Sequence, residues 1–112
     1  MNALRTLSIA ALLVAAAGCK GGVTEIKTLL DDPGRYDRQT VRIAGTVGSS
    51  VGALGYGGYQ VNDGTGTIIV VTNQGGVPRE DAKVGVEGEF RSAYTIGTHT
   101  GAVVVEKERF TP

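Results

Sequence analysis

Residues 59–71 read YQVNDGTGTIIVV. On either side of Asp63-Gly64-Thr65-Gly66 lies a short run rich in aliphatic and aromatic residues, of strand length. An aspartate at a turn can accept bonds from nearby backbone N–H groups, and glycine takes positive φ without a steric cost. The four residues therefore predict a tight connection between two antiparallel strands. Tyr59 and Val61 share a phase of two and point to the same side, so Tyr59 is expected in the core.

Outward from this hairpin the same period recurs. TVRIAGTV, residues 40–47, places Val41, Ile43 and Val47 on one face and Arg42, Ala44 and Thr46 on the other, the pattern of a half-buried strand. KVGVEGEFR, residues 83–91, turns Val84, Val86 and Phe90 inward and Glu87, Glu89 and Arg91 outward. GAVVVEKERF, from Gly101, supplies a fifth strand centred on Val103 to Val105. Before the strands, Thr24 is positioned to cap a short helix whose Ile26, Leu29 and Leu30 fall on one side, and Pro33 is expected to end it. Five short strands make a mainly β protein, and closing them into a small barrel removes the exposed edges of a lone sheet. Gly45 and Gly88 suit the bends such curvature needs.

The helix leading into QTVRIAGTV, then YQVNDGTGTIIVV, then PREDAKVGVEGEF, is similar to the OB-fold, in particular to small exported bacterial OB-fold proteins with a leading helix. The similarity spans residues 24–106 and is most specific from Tyr59 to Gly66. It departs at NQGGVPRED, residues 73–81, which is too short and too broken by Gly75, Gly76 and Pro78 for a full helix. The resemblance implies a five-stranded OB-like barrel preceded by one short helix over residues 24–112. It also implies a binding surface on strands two and three, bordered by the segments Gly48–Gly58 and Ser92–Gly101, both read as loops. Those segments carry Tyr56, Tyr94 and His99, three planar side chains able to stack on a ligand.

The amino terminus predicts an address. Arg5 is the one charge before an apolar run from Leu7 to Ala17, which ends in small residues at Ala16, Ala17 and Gly18 and meets Cys19, the single cysteine of the chain. A basic start, an apolar stretch of roughly 7 to 15 residues and a small-residue exit describe a secretory signal peptide, and the run is too short for a spanning helix. AAGC resembles a bacterial lipobox, with Ala16 where leucine is usual. The resemblance implies cleavage between Gly18 and Cys19, removal of residues 1–18 and a diacylglycerol thioether with an acylated amine at Cys19. Residues 19–23 then form a lipidated tether, and the membrane is a partner through that anchor. Lys20 is not the aspartate that commonly retains such proteins in the inner membrane, so the periplasmic face of the outer membrane is expected in a cell with two.

Catalysis has few residues to draw on: a single histidine, and serines outside any G-x-S-x-G elbow. No cofactor, catalytic residue or metal ligand is assigned. His99 has no second histidine near it, and Asp31, Asp32 and Asp37 do not follow a calcium-loop spacing. Without residues 1–18 the chain loses only Arg5 among its charges, leaving ten basic against eleven acidic residues. That balance argues against a phosphate backbone as ligand. The expected function is a lipid-anchored, non-enzymatic binding module of the cell envelope whose partner is a protein, a peptide or a glycan. The alternative is an OB-fold protein that binds single-stranded nucleic acid.

Overall fold

The computed structural model describes residues 22–53, 56–72, 76–96 and 98–112; the side chains at 51–53, 56, 96 and 99 lie outside that description. Two short helices, α1 (Ile26–Asp31) and α2 (Pro33–Tyr36), precede five strands: β1 (Thr40–Ala53), β2 (Tyr56–Asn62), β3 (Thr67–Thr72), β4 (Lys83–Ile96) and β5 (His99–Phe110). The strands close into a barrel in the order β1-β2-β3-β5-β4. All neighbours are antiparallel except β3 and β5, which run parallel with Ile69, Val70 and Val71 opposite Val103, Val104 and Val105.

The period-two reading of the strands matches the interior. Val41, Ile43 and Val47 of β1, Tyr59 and Val61 of β2, Ile68 and Val70 of β3, Val84, Val86 and Phe90 of β4, and Val104 of β5 form one core with Ile26 and Leu29 of α1. Fully burying an aliphatic side chain contributes about 1.5–3 kcal/mol, so seating Ile26 and Leu29 is a large share of what holds α1 to the barrel. At Gly45 and Gly88 a Cβ would run into the carbonyls of Asn62 and Val105. These two glycines let neighbouring strands approach where the wall curves.

Four details differ from expectation. The helical segment is broken in two, because Pro33 begins α2 as its first residue instead of only ending α1; the fixed φ of proline suits a helix start. Thr24 does not cap α1. Its N–H bonds the Arg42 carbonyl at 2.8 Å, and the N-cap position falls to Glu25, which gives no side-chain bond. Leu30 is 38% exposed, so two aliphatic residues seat the helix and not three. Finally, the described parts of Gly48–Gly58 and Ser92–Gly101 are not loops. They are the outer halves of the β1–β2 and β4–β5 hairpins, each with a register shift, between Val47 and Ser50 and between Arg91 and Tyr94. Glycine there does not break pairing, since an antiparallel ladder uses backbone groups alone and Gly52 simply faces Gly57.

Candidate functional site

The Asp63 turn does more than join β2 to β3. Asn62 Oδ1 accepts from Gly64 N, and Asp63 Oδ1 accepts from Thr65 N at 2.9 Å, Thr65 Oγ1 at 2.6 Å and Gly66 N at 3.2 Å. Asp63 Oδ2 reaches across to accept the Ile26 N–H at 2.9 Å, and Thr65 Oγ1 accepts the Lys27 N–H at 3.1 Å. A helix without a cap of its own is thus capped by a turn 37 residues away. Gly66 permits the approach, since a Cβ there would stand 3.2 Å from Ile26 Cγ2. Burial acts to raise the pKa of Asp63, but the bonds from Thr65, Ile26 and Gly66 outweigh it and hold the carboxyl below its ordinary range.

This clasp orients the outer face of β2 and β3. Asn62 lies opposite both Thr46 and Thr67, and Gln60 lies opposite Ile69, all pointing away from the core. Ser49, in the β1 irregularity, donates to Gln60 Oε1 at 3.1 Å, and Asn62 Nδ2 donates to Thr67 Oγ1 at 3.0 Å. Ser49, Gln60, Asn62 and Thr67 are exposed, while Thr46 and Ile69 are half-buried. Between Arg42 and Arg79 the sequence has one charged residue, Asp63, and the helix cap occupies it. The charges of the barrel wall lie on the other side, in β4, the end of β5 and the start of β1, where Arg42 pairs with Glu87 at 3.7 Å and Arg91 with Glu89 at 3.5 Å. A shallow open groove edged by Thr46, Asn62, Asp63, Asp81 and Lys83 marks the boundary between the two regions.

The hairpin ends border this face from opposite sides. The β1–β2 hairpin closes beyond Gly57, which faces Thr72 at the end of β3, whereas β5 enters its parallel pairing with β3 only at Val103, after the β4–β5 turn. Tyr56 belongs to the first hairpin; Tyr94 and His99 belong to the second, with Tyr94 opposite Gly101 and His99 opposite Ile96. The side chains of Tyr56 and His99 lie outside the described residues. Tyr94 is half-buried, and the Arg91 guanidinium sits 5.9 Å from the centre of its ring. At the Arg91/Tyr94 irregularity the Ser92 N–H is taken up by Asp37 Oδ1 at 2.8 Å. That bond is the main reason the Asp37 carboxyl is held below its ordinary range. Asp31 pairs instead with Lys27, so these acidic residues act separately. Cys19 and the cleavage position after Gly18 lie outside the described residues.

One polar cluster was not anticipated. Glu106 is buried, and its carboxylate accepts from Tyr59 Oη, from Thr72 Oγ1 at 3.0 Å and from Arg109 Nε at 2.9 Å, while Arg109 also donates to the Gly76 carbonyl at 2.8 Å. Burial, and then the bond to Glu106, raise the Tyr59 phenol above its ordinary value. Burial acts to lower the Arg109 pKa, but the facing carboxylate outweighs it. The cluster closes the end of the barrel where the chain passes from β3 to β4, and its members satisfy one another. The signal was present in the sequence: Glu106 continues the inward phase of Val104, so strict alternation already pointed it into the barrel.

No protein-family model and no curated protein matches the chain. Solved structures do. An OBody, AM3L15, bound to hen egg-white lysozyme is similar at 16% identity and a TM-score of 0.61, over 80% of this chain and 94% of that one. Asparaginyl-tRNA synthetase from Pyrococcus horikoshii, complexed with asparaginyl-adenylate, is similar at 21% identity and a TM-score of 0.56, over 69% of this chain and 20% of the synthetase. The chain thus corresponds to about a fifth of that enzyme. At such identities the likeness concerns architecture, and together with the closed five-stranded topology it makes this an OB-like fold.

Proposed function

We propose that the protein is a lipid-anchored, non-enzymatic binding module of the cell envelope that recognises a protein, peptide or glycan through the outer face of β2 and β3. The observation that carries this reading is the face itself: exposed polar side chains, bordered by two long hairpins and free of charged groups apart from an aspartate already used as a helix cap. An OBody of similar fold is bound to lysozyme, which supports the view that such a barrel can serve as a protein-binding scaffold. The anchor rests on Cys19 and the apolar run before it.

Two measurements test this reading. Cells making the protein are fed a clickable fatty acid; the wild type is expected to carry the label and fractionate with membranes, and Cys19→Ala to do neither. Label retained by Cys19→Ala refutes the anchor. The likeness to tRNA synthetases makes single-stranded nucleic acid the rival ligand. Binding through phosphates releases counterions, so that rival requires affinity that falls steeply with salt. Titration with a short oligonucleotide at low salt is expected to show no binding; tight, salt-sensitive binding would overturn the proposal.

A further inference from the structure

Resting on the proposed binding face, the geometry points to its ligand: we infer that it takes a neutral, hydroxyl-rich glycan chain. The groups that reach solvent there are the hydroxyls of Ser49 and Thr67 and the carboxamides of Gln60 and Asn62, with Thr46 half-buried beside them. Hydroxyls and carboxamides each carry both a donor and an acceptor, which is the pairing that a row of sugar hydroxyls requires. They are also oriented in advance. Ser49 holds Gln60 by Oε1, which leaves the two amide N–H donors of Gln60 outside that bond, and Asn62 is tied to both Gly64 N and Thr67 Oγ1. Fixing such side chains before binding lowers the entropy lost on binding.

Charge and apolar content discriminate against other ligands. A phosphate backbone or a uronic-acid chain needs Lys or Arg to balance its charge; the cation that borders this face, Lys83 opposite Thr46, shares its groove with Asp63 and Asp81, so no net positive charge meets a ligand here. A protein partner usually needs a buried aromatic or aliphatic anchor. On this face the apolar side chains of β3 are Ile69, half-buried opposite Gln60, and Val71, 5% exposed opposite Gly58, so neither stands out as such an anchor, and the exposed Val23 and Leu30 precede the strands. Tyr94, half-buried on the bordering hairpin, keeps its ring 5.9 Å from the Arg91 guanidinium, so the ligand contacts rest on the hydroxyls and carboxamides.

The test is an amide-correlation NMR titration of the full chain in mild detergent. The probes are chitotetraose and maltotetraose as neutral sugars, with tetragalacturonate as the charged control, each at about 10 mM, where even a millimolar Kd gives high occupancy. Shifts in the side-chain amides of Gln60 and Asn62 and the backbone of Ser49 and Thr67 are expected with a neutral sugar and not with the charged one. Gln60→Ala combined with Ser49→Ala should weaken binding about tenfold, the scale of losing a hydrogen bond to a polar ligand, with an unchanged melting temperature. No shift on this face with either neutral sugar, or an equal response to tetragalacturonate, overturns the inference. If in addition an envelope protein crosslinks to the face and is lost in Thr67→Arg, the binding-face reading survives and the glycan inference alone fails. If no partner of any kind contacts the face, both fail.

Discussion

Replacing Asp63 with alanine should unseat α1 while leaving the barrel closed. The substitution removes the acceptor for Ile26 N–H and the bonds from Thr65 and Gly66 that shape the β2–β3 turn. Loss of an N-cap costs about 0.5–2 kcal/mol. The turn bonds add about 1 kcal/mol, since each is partly replaced by water. The expected total is roughly 1.5–3 kcal/mol, which for a domain of this size lowers the melting temperature by about 6–24 °C. Urea unfolding followed by circular dichroism measures the first figure and a thermal scan the second. Hydrogen exchange at the Ile26 and Lys27 amides locates the damage, and both should lose protection in Asp63→Ala. The carboxyl also gives the effect a pH dependence. Its folded pKa is depressed, so its stabilisation is complete above the ordinary carboxylate value near 4 and is lost as pH falls through the lower folded value. Asp63→Asn keeps an acceptor but should lack that acid-side loss. A destabilisation below about 0.5 kcal/mol, the range of ordinary surface substitutions, or unchanged protection at Ile26, would refute the clasp.

Glu106→Ala removes the acceptor of the buried Tyr59 hydroxyl, while Arg109 is exposed and can turn to water, so the change should cost about 1–3 kcal/mol in urea unfolding. Gly66→Ala presses a methyl against Ile26 and should cost about 1–3 kcal/mol, with the exchange rates of α1 rising before those of the strands. Tyr94→Ala should cost about 1 kcal/mol or less by thermal scan, because its ring is half-buried and its contact to Arg91 is of the partly exposed cation–π kind. A loss of several kcal/mol would place Tyr94 in the core.

The barrel was legible because β1, β2 and β4 keep period two, and Val41, Ile43, Tyr59, Val86 and Phe90 all fall on the phase that proves buried, whereas β3 and β5 bury consecutive residues at Val70–Thr72 and at Val103 and Val104. The hairpin extensions were not, because Gly52, Gly57 and Gly58 look like loop residues in composition, while backbone pairing is indifferent to side chains. Capping was misread for a different reason. Thr24 is the nearest candidate in sequence, but the acceptor used belongs to Asp63, and only the closed barrel brings the two segments together. The polar face resisted a residue-by-residue reading because each serine, glutamine or threonine on it is unremarkable alone; their shared direction comes from register.

The parallel seam between β3 and β5 has a consequence for how the chain folds and fails. It consists of three facing pairs, whereas the other joint between distant segments, β1 with β4, has seven, and the β1–β2, β2–β3 and β4–β5 pairings are hairpins between segments adjacent in sequence. Hairpins form on a microsecond scale, but joining distant strands requires loop closure first, so the seam is expected to form late and to set a folding time nearer milliseconds to seconds. When the barrel opens, it opens most readily there, and the released edges are Ile68-Ile69-Val70-Val71 and Val103-Val104-Val105. Uncharged, β-branched edges of that kind pair readily with copies of themselves. Aggregation at high concentration should therefore begin below the melting temperature, from an open sheet and not from the unfolded chain.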